Sequence, residues 1–244
     1  MFNPVSDLAT ELRPFGAACW RLVESQHRVS TLKLVDSLEE QALLEDILED
    51  TKPTVPPECR HLDYLLSTPF RYDAPYPHGS RFRRAGMTAG VYYAALSPDT
   101  ALAEMVFYRL LFFAEAPDVP FPDNAAEYSA FSVRVETGRA LDLTAAPMQS
   151  DVWEDVQNYG PCQDLAATAR EAGAEIIRYR SVRDPHKGAN LAVLRCETFR
   201  TPSPEDHQTW RIRLSAKGAQ AVCDFPRRAI EFNREDFAGD PRLG

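Results

Sequence analysis

A chain of 244 residues with 44% apolar side chains is long enough to bury one sizeable core, so neither a disulfide framework nor a structural metal is needed to hold it. Its net charge of −9 argues against a nucleic-acid binder, whose phosphate partners call for a net positive field. No apolar run reaches membrane-spanning length and no basic segment leads into an apolar one near the start, so the expectation is a cytoplasmic protein without membrane or direct nucleic-acid contact. The five cysteines, Cys19, Cys59, Cys162, Cys196 and Cys223, are odd in number and lack CxxC or zinc-type spacing, which favours reduced thiols over disulfides.

In chain order, residues 19–23 are a first strand candidate and carry Arg21. Ser37 followed by Glu40 is a capping-box signature, and Leu43, Leu44, Ile47 and Leu48 recur at helical spacing. Together they predict an amphipathic helix over 38–50, ended by the prolines of 51–57. Residues 51–80 read as a proline-rich insert, mostly loop, with one helical turn around 62–66; a loop of that length in a compact domain is more often functional than idle. Residues 91–96 (VYYAAL) predict a strand. Ser97, Pro98 and Asp99 then supply an N-cap, a proline at the first helical position and an acid in the first turn. The helix they start, over 98–113, has Leu102, Met105, Val106 and Leu110 as its core stripe and Glu104 at the edge of that stripe. Beyond an acidic loop at 115–125, Phe131, Val133 and Val135 alternate with Ser132 and Arg134 in a half-buried strand, which residues 141–143 extend. A helix is expected over 162–172 with Leu165, Ala166 and Ala169 inward and Gly173 at its end. Strands follow from Ile176 and at 191–198, 209–214, 219–225 and 229–232. Consecutive strands late in the chain favour an α+β fold over a doubly wound one.

Several chemistries find no support. His27, His61, His78, His186 and His207 have no partner at metal-ligand spacing except Cys59-x-His61, and two ligands do not make a site. The chain has no GxSxG elbow for serine hydrolysis, and neither GxGxxG nor GxxxxGK[ST] for a Rossmann or P-loop phosphate cradle. Basic residues are local: Arg81, Arg83 and Arg84 between Gly79 and Gly86, then Arg178, Arg180 and Arg183. Small positive islands in an acidic chain suit a small anionic ligand, and arginine forks match diphosphate oxygens bidentately. Read as extended, the first island puts Arg81 and Arg83 on one side and Arg84 on the other. Tyr92 and Tyr93 point to opposite faces, one toward core and the other toward ligand. Glu104 is either a surface glutamate or a partly desolvated carboxylate whose charge acts on a developing cation. Ser181 and Arg183 offer a hydroxyl and a cation after a strand, and Asn190 opens the next one.

Taken together, Arg81 after Gly79, the strand ending in Tyr93, the start of the next helix (YAALSPDTALAE), and YRSVRDPHKGAN over 179–190 resemble the RES domain family, over roughly residues 20–200. Trp20-Arg21 resembles the family's opening aromatic-Arg pair, and Glu104 and Ser181 its signature Glu and Ser. Spacing to Tyr93 also admits Arg83 as the signature arginine, whereas aligning Arg81 brings Phe82 and Gly86 into register too. The resemblance implies one domain across 1–244, with a split central mixed sheet flanked by helices as in mono-ADP-ribosyltransferase toxins. It implies the toxin of a toxin–antitoxin pair that cleaves the nicotinamide–ribose bond of NAD⁺, with water, phosphate or a protein side chain as acceptor. Arg81, Tyr93, Glu104 and Ser181 would be catalytic, and Arg21, Arg83, Tyr92, Arg183 and Asn190 would hold the substrate. No resident cofactor or metal is implied. The expected partner is a helix-turn-helix antitoxin of Xre type covering the pocket, and the strands at 205–235 would serve dimerisation or antitoxin docking. The alternatives are a protein ADP-ribosyltransferase and a non-catalytic nucleotide-binding module.

Overall fold

The computed structural model describes residues 4–25, 34–72, 75–145 and 147–243; His27 lies outside them. Eight strands form one sheet: β1 (Arg13–Glu24), β2 (Tyr92–Ala95), β3 (Ala126–Asp142), β4 (Ile176–Arg180), β5 (Ala189–Val193), β6 (His207–Ser215), β7 (Gly218–Cys223) and β8 (Arg228–Asn233). Their order is β1-β2-β5-β4-β3-β6-β7-β8, and β3 pairs β4 in parallel while the other pairs are antiparallel. The fold is therefore α+β with a central mixed sheet, as the strand-rich second half of the sequence suggests.

The long β3 shapes the sheet. Along one edge it pairs β1 from Tyr128 to Ala140, and because β1 also reaches β2, the strands β1, β2, β5, β4 and β3 close on themselves. On its other edge β3 pairs β6 through Ala126–Phe131 and β4 through Ala140–Asp142, so the sheet splits there into a closed half and an open β6-β7-β8 half. The expected extension at 141–143 is thus the end of β3 itself.

The helices are α1 (Pro4–Glu11), α2 (Leu38–Asp50), α3 (Tyr64–Ser67), α4 (Pro98–Glu115) and α5 (Gly160–Glu171). Ser97 caps α4 by accepting from the Thr100 N–H, and Leu102, Val106, Phe107 and Leu110 are fully buried against Trp210, Ile212 and Ala221 of the open half. Helix α5 buries Leu165, Ala166 and Ala169 against Leu141, Ile177 and Ala192, and Gly173 ends it at a φ of +82°. In the insert, Leu62, Leu66 and Phe70 pack onto Phe131, Val133 and Val193, so part of that loop is core cover.

Two expectations are corrected. The cap of α2 forms as predicted, with Ser37 Oγ accepting from Glu40 N and Glu40 Oε2 accepting from Asp36 N. Yet Leu43, Ile47 and Leu48 stay exposed, because α2 stands on the surface and is tied by the Glu49–Arg71 ion pair rather than by its apolar stripe. Cys59 and Cys196 are joined in a disulfide, not reduced. They lie 137 residues apart, so sequence spacing carried no trace of a pairing that the insert and the turn after β5 create. Cys19, Cys162 and Cys223 are free and buried.

Candidate active site

A cavity of about 650 Å³ opens where the closed half of the sheet meets α4. Its floor is a row of cross-strand partners: Trp20 opposite Ala95, Ala95 opposite Asn190, Asn190 opposite Tyr179. Strand pairing alone places these four side by side. Tyr93, two residues from Ala95, shares its face by the period-two rule, while Tyr92 turns the other way and is fully buried against Phe199.

Only two residues separate β2 from helix α4, so the second turn of α4 brings Glu104 over this floor. Ser181 Oγ donates to Glu104 Oε1 at 2.6 Å, and Asn190 Nδ2 donates to the same oxygen at 2.7 Å. Oε2 has no hydrogen-bond partner among the described residues. Burial pushes the Glu104 carboxyl above the usual range, while the bonds from Ser181 and Asn190, then the charges of Arg183 and Arg81, hold it back. Ser181 itself is spent within the protein: its hydroxyl proton goes to Glu104, and its oxygen accepts from the N–H groups of Arg183 (3.2 Å) and Asp184 (2.9 Å). It is buried and acts on Glu104. Asp184 fastens the same loop to the start of α4 by accepting from Thr100 Oγ1 at 2.8 Å.

The arginines part company. The segment around them is a tight turn, with Ser80 N donating to Arg83 O and Arg83 N to Ser80 O, so the expected extended alternation of Arg81, Arg83 and Arg84 does not apply. Tyr93 holds that turn to β2: its hydroxyl bonds Ser80 Oγ (2.8 Å) and accepts from Phe82 N (3.0 Å), and burial pushes its own pKa up to about 12. Arg81 lines the cavity with its guanidinium 4.6 Å from the Tyr159 ring and donating to Trp153 O at 2.7 Å. Arg83 points elsewhere, onto the Tyr76 ring and the Thr88 carbonyl, and does not line the cavity. Arg84 pairs with Asp164. Arg21 lines the cavity from β1, 4.9 Å above the Tyr92 ring, and burial lowers its pKa. Neither Arg21 nor Arg81 forms an ion pair with a carboxylate among the described residues. Arg183, expected at the ligand, is instead buried in an ion pair with Asp240 over Phe107, behind the cavity.

Of the nine residues singled out in the sequence, the cavity therefore brings together Arg21, Arg81, Tyr93, Glu104 and Asn190, with Ser181 directly behind Glu104. Tyr92, Arg83 and Arg183 stand outside it.

Residues 55–215, more than half of the chain, match the model of the RES domain. The chain belongs to the RES domain family. No curated protein matches it. Among solved structures, a chain of the M. tuberculosis MbcT-MbcA toxin-antitoxin complex aligns over 97% of this chain and 95% of its own, at 12% identity and a TM-score of 0.48.

The RES match takes in Arg81, Glu104, Ser181 and Asn190 but leaves out four cavity residues, Trp20, Arg21 and Leu22 before it and Arg242 after it. Sequence reasoning missed Arg242 and also Tyr159, since both arrive on irregular segments that no periodicity marks. Tyr108 was within reach: it stands one helical turn after Glu104, the spacing that puts two side chains on one face. Among the described residues, no group of three or more His, Cys, Asp or Glu could hold a metal ion, and no helix is long and apolar enough to cross a membrane.

Proposed function

We propose that this RES-domain chain is the toxin of a toxin–antitoxin pair and that it cleaves the nicotinamide–ribose bond of cytoplasmic NAD⁺. One observation carries the reading: Glu104 has one carboxylate oxygen held by Ser181 and Asn190 and the other without a partner among the described residues, on a cavity whose walls bear two arginines, Arg21 and Arg81, that pair with no described carboxylate. Breaking the bond sends its electron pair to nicotinamide and leaves an oxocarbenium-like cation at the ribose carbon. Glu104 Oε2 stabilises that cation; since its geometry is fixed beforehand by Ser181 and Asn190, no reorganisation is needed as charge develops. Arg81 and Arg21 hold the diphosphate, and Tyr93 keeps the Arg81 turn in place and packs beside the sugar. Ser181 is a positioning residue. Arg83, the other candidate for the signature arginine, has no part in this arrangement. The cation is taken by water or phosphate, and an Xre-type antitoxin covers the cavity when the pair is assembled.

The test is incubation of the protein with NAD⁺, with and without inorganic phosphate, followed by liquid chromatography and mass spectrometry. Nicotinamide should appear together with ADP-ribose or its phosphate ester. Label transferred from NAD⁺ to protein would support the ADP-ribosyltransferase reading instead, and absence of nicotinamide release under every condition would end the NAD⁺ assignment.

A further inference from the structure

The segment after β8 folds back to the cavity. Phe237 and Leu243 bury in the α4 core, and between them Asp240 meets two arginines at once. Its side chain is 2% exposed; it forms an ion pair with Arg183, equally buried, and accepts from Arg242 Nε (3.0 Å) and Nη2 (2.8 Å). One carboxylate against two guanidiniums leaves one positive charge over. The two cations are unequal. Arg183 is enclosed: its Nη2 donates to Val156 O and the Tyr159 hydroxyl, and its Nε is buried without a partner among the described residues. Arg242 is 32% exposed and lines the cavity, and its Nη1 has no protein acceptor among the described residues. Tyr159 stands between this trio and Arg81, whose guanidinium stacks on its ring.

We propose that Arg242 is a substrate-binding residue whose guanidinium contacts the diphosphate of a nucleoside-diphosphate-ribose ligand. The ligand class rests on the NAD⁺ reading above. The bonds of Arg242 to Asp240 do not use up its charge, because Arg183 already neutralises that carboxylate and the second guanidinium stays unbalanced. The balance around the cavity points the same way: Arg21, Arg81 and the trio contribute three positive charges and Glu104 one negative, leaving two, the charge of a diphosphate diester. The residue lies beyond the RES match, so this chain draws part of its ligand grip from outside its family segment.

Calorimetric titration with ADP-ribose tests it directly. Arg242→Gln removes the charge while leaving the Arg183–Asp240 pair, and should weaken ADP-ribose by about tenfold, the scale of one charge-assisted contact. Arg242→Lys should recover part of that loss. With NAD⁺ as substrate, KM should rise by the same factor with little change in kcat, whereas nicotinamide riboside, which has no diphosphate, should show no such rise. Equal ADP-ribose affinity in wild type and both variants, or an equal KM rise for the riboside, would overturn the proposal. A wild type that binds ADP-ribose through Arg242 yet releases no nicotinamide from NAD⁺ would sink the catalytic reading and leave this one standing.

Discussion

At the scale of single residues, Glu104 carries opposing consequences for stability and for activity. Its carboxyl is raised by burial, so the folded chain binds that proton more tightly than the unfolded chain does. The stability this provides is complete below the ordinary glutamate pKa and is lost as pH rises through the raised one. Glu104→Gln keeps an oxygen for Ser181 and Asn190 and carries no charge. Its melting temperature should therefore match wild type in acid and exceed it increasingly toward neutral pH, while kcat falls about 10²–10³-fold, the usual loss for one preorganised charge. Thermal melts across pH, set beside steady-state rates, read both. Ser181→Ala removes the strongest restraint on the carboxyl, so the acid limb of the pH–rate profile should move to higher pH; an unmoved limb would deny Ser181 its positioning role. Glu104 could be singled out in the sequence because a charged residue at the edge of an apolar helical stripe is conspicuous. Arg242 could not, since one arginine near the end of an irregular segment looks like any solvated cation.

Elements were legible where a local rule fixed them. The caps at Ser37 and Ser97 and the glycine after α5 each encode their own boundary, and the structure keeps all three; the alternation in β3 marked the strand but not its extent, and Ser132, expected outward, is fully buried. Where placement depended on distant partners the local pattern misled: α2 has a helix's periodicity but leaves Leu43, Ile47 and Leu48 exposed, and the turn at 80–83 breaks the extended reading that grouped Arg81 with Arg83. Helix α4 transmits its start directly to the site, because Thr100 at its first turn binds Asp184 in the loop that holds Ser181. Gly188 lies against that junction, and a methyl there would sit 2.1 Å from Thr100 Oγ1 and 2.6 Å from Asp184 Oδ2. Gly188→Ala should thus lower kcat by displacing the loop, at a cost of about 1–3 kcal/mol in urea unfolding. Ser97→Ala should cost about 1 kcal/mol through the lost cap. A Gly188→Ala chain as active as wild type would show that the loop tolerates displacement.

Across the whole molecule, the site is assembled by long-range strand pairing and closed by the chain's last segment. The Trp20–Ala95–Asn190–Tyr179 row draws on four strands spread over residues 20–190, which is why no single stretch could display it. Asp240 ties the segment after β8 to the loop that holds Ser181, through Arg183. Hydrogen bonds from Arg242 hold its carboxyl down to about 2, so the stability it provides is present above the ordinary aspartate pKa and is lost as pH falls toward 2. Asp240→Ala leaves Arg183 buried and unpaired and should destabilise by about 3–5 kcal/mol, seen as a lowered urea midpoint. The account as a whole rests on a carboxylate acting on a sugar carbon while guanidiniums grip a diphosphate. The rate of nicotinamide release from NAD⁺, compared between wild type and Glu104→Gln under identical conditions, examines that most directly. Steady release by the wild type with a loss of two orders of magnitude or more in the variant is the expected result; equal rates, or none from either, would contradict it.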